Sequence, residues 1–249
     1  MRIHPSIAIV GSAQFGLSSS YDCHVYAVRG PIGIVLIDAG SGLATPEIVQ
    51  HLDRDFPGEN VAALLLTHAH MDHCGGAAAI AEHYQCPVSA SCMTASILQA
   101  ADEERNGLQR AREYGGYPSD LHLKPCIVDT IYRDGESFEV ADLVFLPLRI
   151  RGHSQDSHCL LVEVDGRRAC FSGDAVFYGG ILGVINSWDS NLQDYHADLL
   201  KLQDSSVEML FPGHGLFTLK AGQRHLDEAI QSLKNGFLPN QIGQGSGIF

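Results

Sequence analysis

The chain has 249 residues, a formal net charge of −13 from 16 Lys and Arg against 29 Asp and Glu, and 13 His. The acidic balance argues against nucleic acid and against an anionic membrane surface as partners, because both are bound through Lys and Arg. A hydrophobic share of 45% excludes a disordered chain, and no stretch is apolar for long enough to span a bilayer. The short apolar run at 7–10 lacks the cationic lead of a secretory signal. Seven Cys at no framework spacing read as free thiols of a reduced, cytoplasmic protein.

In chain order, residues 24–29 and 34–38 read as strands, with turns at Gly30-Pro31 and Gly40-Ser41-Gly42. Thr45 reads as an N-cap, with Pro46 opening a helix that runs to about Phe56 and stops at Pro57-Gly58. The apolar run 61–66 is patterned as a strand buried on both faces. An Ala-rich helix over 77–84 and a short strand over 87–90 follow. The stretch 94–114 reads as a charged helix interrupted at Asn106-Gly107, and Tyr114 to Pro118 as a loop. Strand patterns then cover 127–133, 137–140, 143–150, 159–164 and 168–172, the last two joined by the hairpin signal Asp165-Gly166. Asp189 or Asn191 can cap a helix reaching Leu202. A strand at 207–211 and an amphipathic helix at 220–234 complete the elements, and 237–249 reads as a tail. Alternating strands and helices around a β-rich centre predict an α/β architecture, a four-layer αβ/βα sandwich of two mixed β-sheets with outer helices in a single domain over 1–249.

The chemistry concentrates in Thr67-His68-Ala69-His70-Met71-Asp72-His73-Cys74-Gly75-Gly76, where a buried strand gives way to a helix. A chance His-x-His-x-Asp-His has a probability on the order of 10⁻³ over such a chain, so the segment carries weight. Alternate His on an extended turn converge on one point, and Asp72 and His73 turn toward a second. Imidazoles with a carboxylate suit zinc, with iron or manganese as alternatives. Gly152-His153-Ser154, Ser172-Gly173-Asp174 and Pro212-Gly213-His214-Gly215 each add one ligand-type residue just after a strand.

With these motifs the sequence resembles the metallo-β-lactamase-fold hydrolase superfamily, in particular its glyoxalase II and lactonase-like branches, from about Tyr21 to Gly215. The resemblance implies one metal site from His68, His70 and His153, a second from Asp72, His73 and His214, and Asp174 bridging the two. Two zinc ions per chain are the expected cofactor. Asp38, in Leu36-Ile37-Asp38-Ala39-Gly40, matches a motif whose implied role is buried support of the ligand loop, not ligation. The implied activity is attack of a bridging hydroxide on the carbonyl of an ester, thioester or lactone, with Asp72 able to shuttle a proton. The alternatives are a mononuclear iron persulfide dioxygenase and a β-lactam or phosphodiester hydrolase of the same fold.

The expected partner is a small-molecule substrate, with a homodimer as the expected assembly. Tyr178 stands one position beyond the place where the lactonase branch carries a carbonyl-polarising Tyr, so it reads either as a catalytic phenol or as a wall aromatic. Arg151, beside Gly152-His153, reads either as a contact for a substrate carboxylate or as a loop charge. The stretch 93–125, which holds Arg105, Arg110, Arg112, Tyr114 and Tyr117, reads as an insertion serving as a lid, a dimer surface or a solvated face. Trp188 reads as a pocket-rim residue, Cys74 as a packing thiol, and His158 as a structural His at a strand start.

Overall fold

A computed structural model describes residues 1–237 and 239–241, which group into two compact units. Of the described residues, the first comprises 1–133 and 138–144, and the second 134–137 and those from 145 onward. Among the described residues no helix is long and apolar enough to cross a membrane. Of the tail side chains, Leu238, Ile242, Ile248 and Phe249 lie outside the described residues, and Phe237 is exposed.

The first unit is built on a seven-stranded sheet in which sequence order equals spatial order: β1 (Arg2–His4), β2 (Ile7–Gly11), β3 (Val25–Gly30), β4 (Gly33–Ile37), β5 (Val61–Leu65), β6 (Val88–Ala90) and β7 (Thr130–Ile131). Strands β1 to β4 pair antiparallel and β4 to β7 parallel. Every residue of β2, β4 and β6 is buried, which explains the unbroken apolar runs of β2 and β4. The parallel crossovers are helical: α1 (Thr45–Asp55) between β4 and β5, and α2 (Met71–Cys74) with α3 (Ala77–Tyr84) between β5 and β6. Helix α1 buries Ile48 and Leu52, each contributing roughly 1.5–3 kcal/mol on leaving water. Its N-cap is Ala44 without a side-chain cap bond, so Thr45 is the first helical residue and not the cap.

The predicted charged helix is two helices, α4 (Cys92–Ala100) and α5 (Leu108–Glu113). Ser91 caps α4 through its hydroxyl, which accepts from the Thr94 N–H at 3.2 Å. Ala101 in the left-handed region (φ +49°) ends it. Of the strand pattern at 127–133 only β7 forms, because its partner β6 offers three residues and Ser89 and Ala90 take up the pairing.

The second sheet has the order β12-β11-β10-β9-β8, with β8 (Phe138–Val140), β9 (Leu143–Arg149), β10 (His158–Val164), β11 (Arg167–Gly173) and β12 (Met209–Pro212). Strand β8 and residues 143–144 group with the first unit. Strands β9, β10 and β11 are antiparallel neighbours, and β11 pairs β12 in parallel, so both sheets are mixed. The hairpin turn between β10 and β11 has Asp165 at φ +52° and Gly166 at φ +72°, the paired positive values that an Asp-Gly turn supplies. Helix α6 (Leu192–Asp198) is capped by Asn191, whose side chain accepts from the Asp194 N–H, and a 3-10 turn carries the chain on to Leu202. Helix α7 (Gly222–Lys234) buries Leu226, Ala229 and Ile230 against Leu199, Leu202 and Leu210 of the second unit's core.

Candidate metal centre

In the first unit the parallel pairing of β4 with β5 places two strand ends side by side. Asp38 follows β4 and Thr67 to His70 follow β5, with the Asp38 N–H donating to the Leu65 carbonyl at 2.8 Å. Ligand-bearing loops at the carboxyl ends of parallel strands are the usual site geometry of α/β sheets. The following Gly76 permits the return of the chain: a Cβ there would stand 2.2 Å from the Ala39 carbonyl oxygen.

Asp38 is the hub of this half. Its buried carboxylate accepts from the Thr67 N–H at 2.8 Å, from the Thr67 hydroxyl at 2.8 Å and from His73 Nδ1 at 2.8 Å. Because the Thr67 hydroxyl donates to Asp38, it is left to accept from His68 Nδ1 at 3.0 Å. The hydrogen-bond pattern therefore assigns the proton of both imidazoles to Nδ1 and a lone pair to both Nε2 atoms. His73 Nε2 lies 3.5 Å from Asp72 Oδ2, and His68 Nε2 lies 3.1 Å from His70 Nδ1. Asp38 plays the supporting role that the resemblance implied.

Cys23, wholly buried, joins Asp38 and His73 in a group whose ligand-type atoms lie within 4.8 Å of one another; burial pushes its thiol far above the usual range. Cys74 donates its thiol to the Ala69 carbonyl at 3.2 Å, a packing role as expected. Tyr117 comes from the stretch after α5. Burial, with the Asp72 carboxylate beside it, holds its phenol well above the ordinary value.

In the second unit the topology gathers three residues at one sheet end. Strand β9 ends where β10 begins (Arg149 opposite His158), and β11 and β12 run parallel and end together (Gly173 opposite Pro212). His153 follows β9, Asp174 follows β11 and His214 follows β12, with the Gly213 N–H donating to the Gly173 carbonyl at 2.8 Å. His153 Nδ1 donates to the Gly183 carbonyl at 2.6 Å, which leaves the lone pair on Nε2. That Nε2 and His214 Nε2 each lie 3.6 Å from Asp174 Oδ2. Sequence reasoning could not find the Gly183 carbonyl, since a backbone acceptor has no residue signature.

The donor chemistry fits divalent metal. In both halves an imidazole lone pair (His73 Nε2, His153 Nε2) is turned toward a carboxylate oxygen at about the separation of two donors around one ion. Two acceptors facing each other repel unless a cation lies between them, and the far nitrogen of each ring is already fixed by an oxygen, as in metal-ligating histidines.

The remaining candidate residues have the following surroundings. Tyr178 is 41% exposed and packs in a tilted arrangement against His225 of α7, 4.1 Å between ring centroids, while the ring of its neighbour Phe177 lies 6.5 Å from that of His214. Arg151 is committed: Nε donates to Asp198 at 2.6 Å, a second nitrogen reaches Asp198 at 3.2 Å, and the third lies 3.3 Å from Asp194. His158 is buried and donates Nδ1 to the Asp156 carbonyl at 2.7 Å, a structural role. Trp188 is exposed in the second unit.

A family model described as the metallo-beta-lactamase superfamily matches residues 21–214. The chain belongs to that superfamily. It is 28% identical over 184 residues to an atrochrysone carboxyl ACP thioesterase of Aspergillus fumigatus, a match covering 73% of this chain and 47% of the thioesterase, so the chain spans about half the length of that relative. It is 26% identical over 176 residues to the hydroxyacylglutathione hydrolase GloC of Haemophilus influenzae, covering 70% of this chain and 77% of GloC. Among solved structures, a Cronobacter sakazakii metallo-beta-lactamase with a HARLDQ motif superposes with a TM-score of 0.70 at 19% identity, over 95% of this chain and 96% of that one. That likeness establishes the fold.

Proposed function

We propose that the protein is a dinuclear zinc hydrolase that cleaves an activated carbonyl of a small molecule, with thioesters ahead of esters and lactones. The observation that carries this reading is the set of imidazole lone pairs aimed at carboxylates, each locked by a hydrogen bond on the opposite ring nitrogen. His68, His70 and His153 would hold one ion, and Asp72, His73 and His214 the other, with Asp174 shared. The superfamily pattern running through 21–214 supports this division. With Asp174 shared, each ion would have four protein ligands, and a pair of ions joined through one carboxylate is the arrangement of two-metal hydrolytic sites rather than of isolated structural zinc.

Zinc, when bound, supplies Lewis acidity and a water with a pKa of roughly 7, acidic enough to attack near neutral pH. The chain's own residues do the rest. Asp38 and Thr67 keep His68 and His73 in the tautomer that offers Nε2, and the Gly183 carbonyl does the same for His153. Asp72, half-buried and outside that relay, is the carboxylate suited to take the proton from the attacking water and return it to the leaving group. Asp174, 3.6 Å from both the His153 and His214 Nε2 atoms, would offset part of the charge of an ion held there. Tyr178 packs on His225, which supports a wall role for it rather than a carbonyl-polarising one.

The relatives named as a thioesterase and a hydroxyacylglutathione hydrolase support thioesters as the first substrate class to try. The test is turnover by zinc-loaded protein across acyl thioesters, lactones, simple esters, β-lactams and phosphodiesters. Thioester hydrolysis that disappears on chelation is the expected result. Turnover confined to phosphodiesters or β-lactams would replace the substrate class, and oxygen uptake with a persulfide by iron-loaded protein would replace the chemistry.

A further inference from the structure

In the second unit, helix α6 backs the loop that carries His153 and holds it residue by residue. The Arg151 guanidinium ends on Asp198 of α6, with Nε donating at 2.6 Å. The Gly152 carbonyl accepts from the N–H of Asn191, the cap of α6, at 2.9 Å and from the Ser190 hydroxyl at 2.7 Å. Tyr195 stands three residues before Asp198, hence on the same face of the helix. Its ring lies so close against Gly152 that a Cβ there would stand 2.1 Å from it. That packing accounts for the ring, but not for the hydroxyl it carries into a wholly buried place.

The hydroxyl joins two groups on which the metal centre depends. It accepts from the Gly183 N–H at 3.2 Å and donates to the Asp174 carbonyl at 3.3 Å. Chemistry fixes both directions, because an amide N–H can only donate and a carbonyl can only accept. The carbonyl of the same Gly183 accepts from His153 Nδ1 at 2.6 Å, and His153 Nε2 lies 3.6 Å from Asp174 Oδ2. One buried hydroxyl therefore ties the residue that sets the His153 tautomer to the backbone of the carboxylate facing that ring. The approach it holds is tight: a Cβ on Gly183 would stand 2.0 Å from the Asp174 carbonyl oxygen and 2.9 Å from His153 Nδ1. Without the hydroxyl, the buried Gly183 N–H loses its acceptor, and its segment must shift to find another, carrying the Gly183 carbonyl away from His153. We propose that Tyr195 is a positioning residue of the metal centre: its hydroxyl pins the Gly183 and Asp174 backbones together, so that the His153 lone pair and the Asp174 carboxylate keep the separation of two donors around one ion. This rests on the reading of His153 and Asp174 as ligands.

The test uses the chain carrying Tyr195→Phe, which keeps the ring against Gly152 and removes only the hydroxyl. Ile230→Val, at an apolar position of the same core on α7, is the control for loss of stability alone. Metal-free protein is titrated with zinc against a competing chelator and with cobalt by visible absorption, and its melting midpoint is measured in parallel. In Tyr195→Phe at least one of two zinc equivalents should weaken by about 10–100-fold, with a shifted cobalt band. In Ile230→Val both equivalents should bind as in the wild type although the melting midpoint falls. Wild-type affinity and an unshifted cobalt spectrum in Tyr195→Phe overturn the proposal, as does a loss of affinity no larger than that of Ile230→Val. So does a Tyr195→Phe protein with no cooperative melt, because the role would then be one of folding. A wild-type protein that takes up fewer than two equivalents, or a His153→Ala protein that keeps both, instead overturns the ligand reading on which the proposal rests.

Discussion

Replacing Asp38 by Asn tests the hub of the first unit with the least steric disturbance. Asn has the same shape and tolerates the left-handed backbone that Asp38 adopts at φ +62°, so no backbone cost arises. The carboxylate now serves three donors at 2.8 Å: the Thr67 N–H, the Thr67 hydroxyl and His73 Nδ1. An amide has one acceptor oxygen, so if it stays on the Thr67 N–H its NH₂ group faces the other two. A charge-assisted bond is worth about 1.5–3 kcal/mol and a neutral one about 0.5–1.5 kcal/mol, so weakening three of them costs roughly 2–4 kcal/mol. At about 2–4 °C per kcal/mol for a chain of this size, the melting midpoint falls by roughly 4–16 °C. The larger consequence is chemical. The Asn amide can donate to His73 only if the imidazole moves its proton to Nε2, which removes the lone pair offered to the metal; the wrong-tautomer effect is known to disable a site without disturbing its geometry. The expected zinc affinity of Asp38→Asn falls at least about 10–100-fold. Chelator competition and thermal melts read both effects. An Asp38→Asn protein with wild-type zinc affinity would refute the tautomer argument, whatever its melting point.

Three further outcomes follow from the second unit. Gly152→Ala puts a Cβ 2.1 Å from the Tyr195 ring at φ +131°, so overpacking and backbone strain together should cost about 3 kcal/mol or more, read as a drop in the urea midpoint. Asp174→Ala should remove most of the bound metal and activity while the metal-free protein stays folded, checked by elemental analysis beside circular dichroism. Burial alone would raise the Asp198 carboxyl, but the Arg151 guanidinium outweighs it and holds that carboxyl below its usual range. The folded value therefore lies below the unfolded one, near 3.9, so the stabilisation is present above about pH 4 and is lost as pH falls through the folded value. Arg151→Ala should lower stability at pH 7 by about 1 kcal/mol, a modest figure because the guanidinium is partly exposed, and urea titrations at pH 7 and pH 3 should show this difference shrinking in acid.

The candidate ligand residues were legible because they follow strands whose apolar runs are unmistakable, and because three His and an Asp within six residues have few uses other than metal. What supports them was not. The Gly183 carbonyl leaves no mark in sequence, and Tyr117 and Asn106 meet the His-rich loop only through the fold. Charge alone left Arg151 open to a substrate carboxylate; Asp198, on α6, takes it up. Among the elements, β1 has only three residues and β2 carries no polar alternation, so the apolar run at 7–10 read merely as failing to be a leader. In 94–114 Asn106-Gly107 marked the interruption, but nothing in the sequence signals that Ala101 takes positive φ and ends the first helix six residues earlier. Pairing limits do the same for β7, where Ile127 and Ile131 stay exposed at the sheet edge.

The most direct measurement is turnover of an acyl thioester as metal-free protein is titrated with zinc. A dinuclear hydrolase requires activity that rises with added zinc and reaches its plateau at two equivalents per chain. Full binding of two equivalents without hydrolysis of any thioester, ester or lactone would contradict the account, as would activity that depends on a single iron and consumes oxygen.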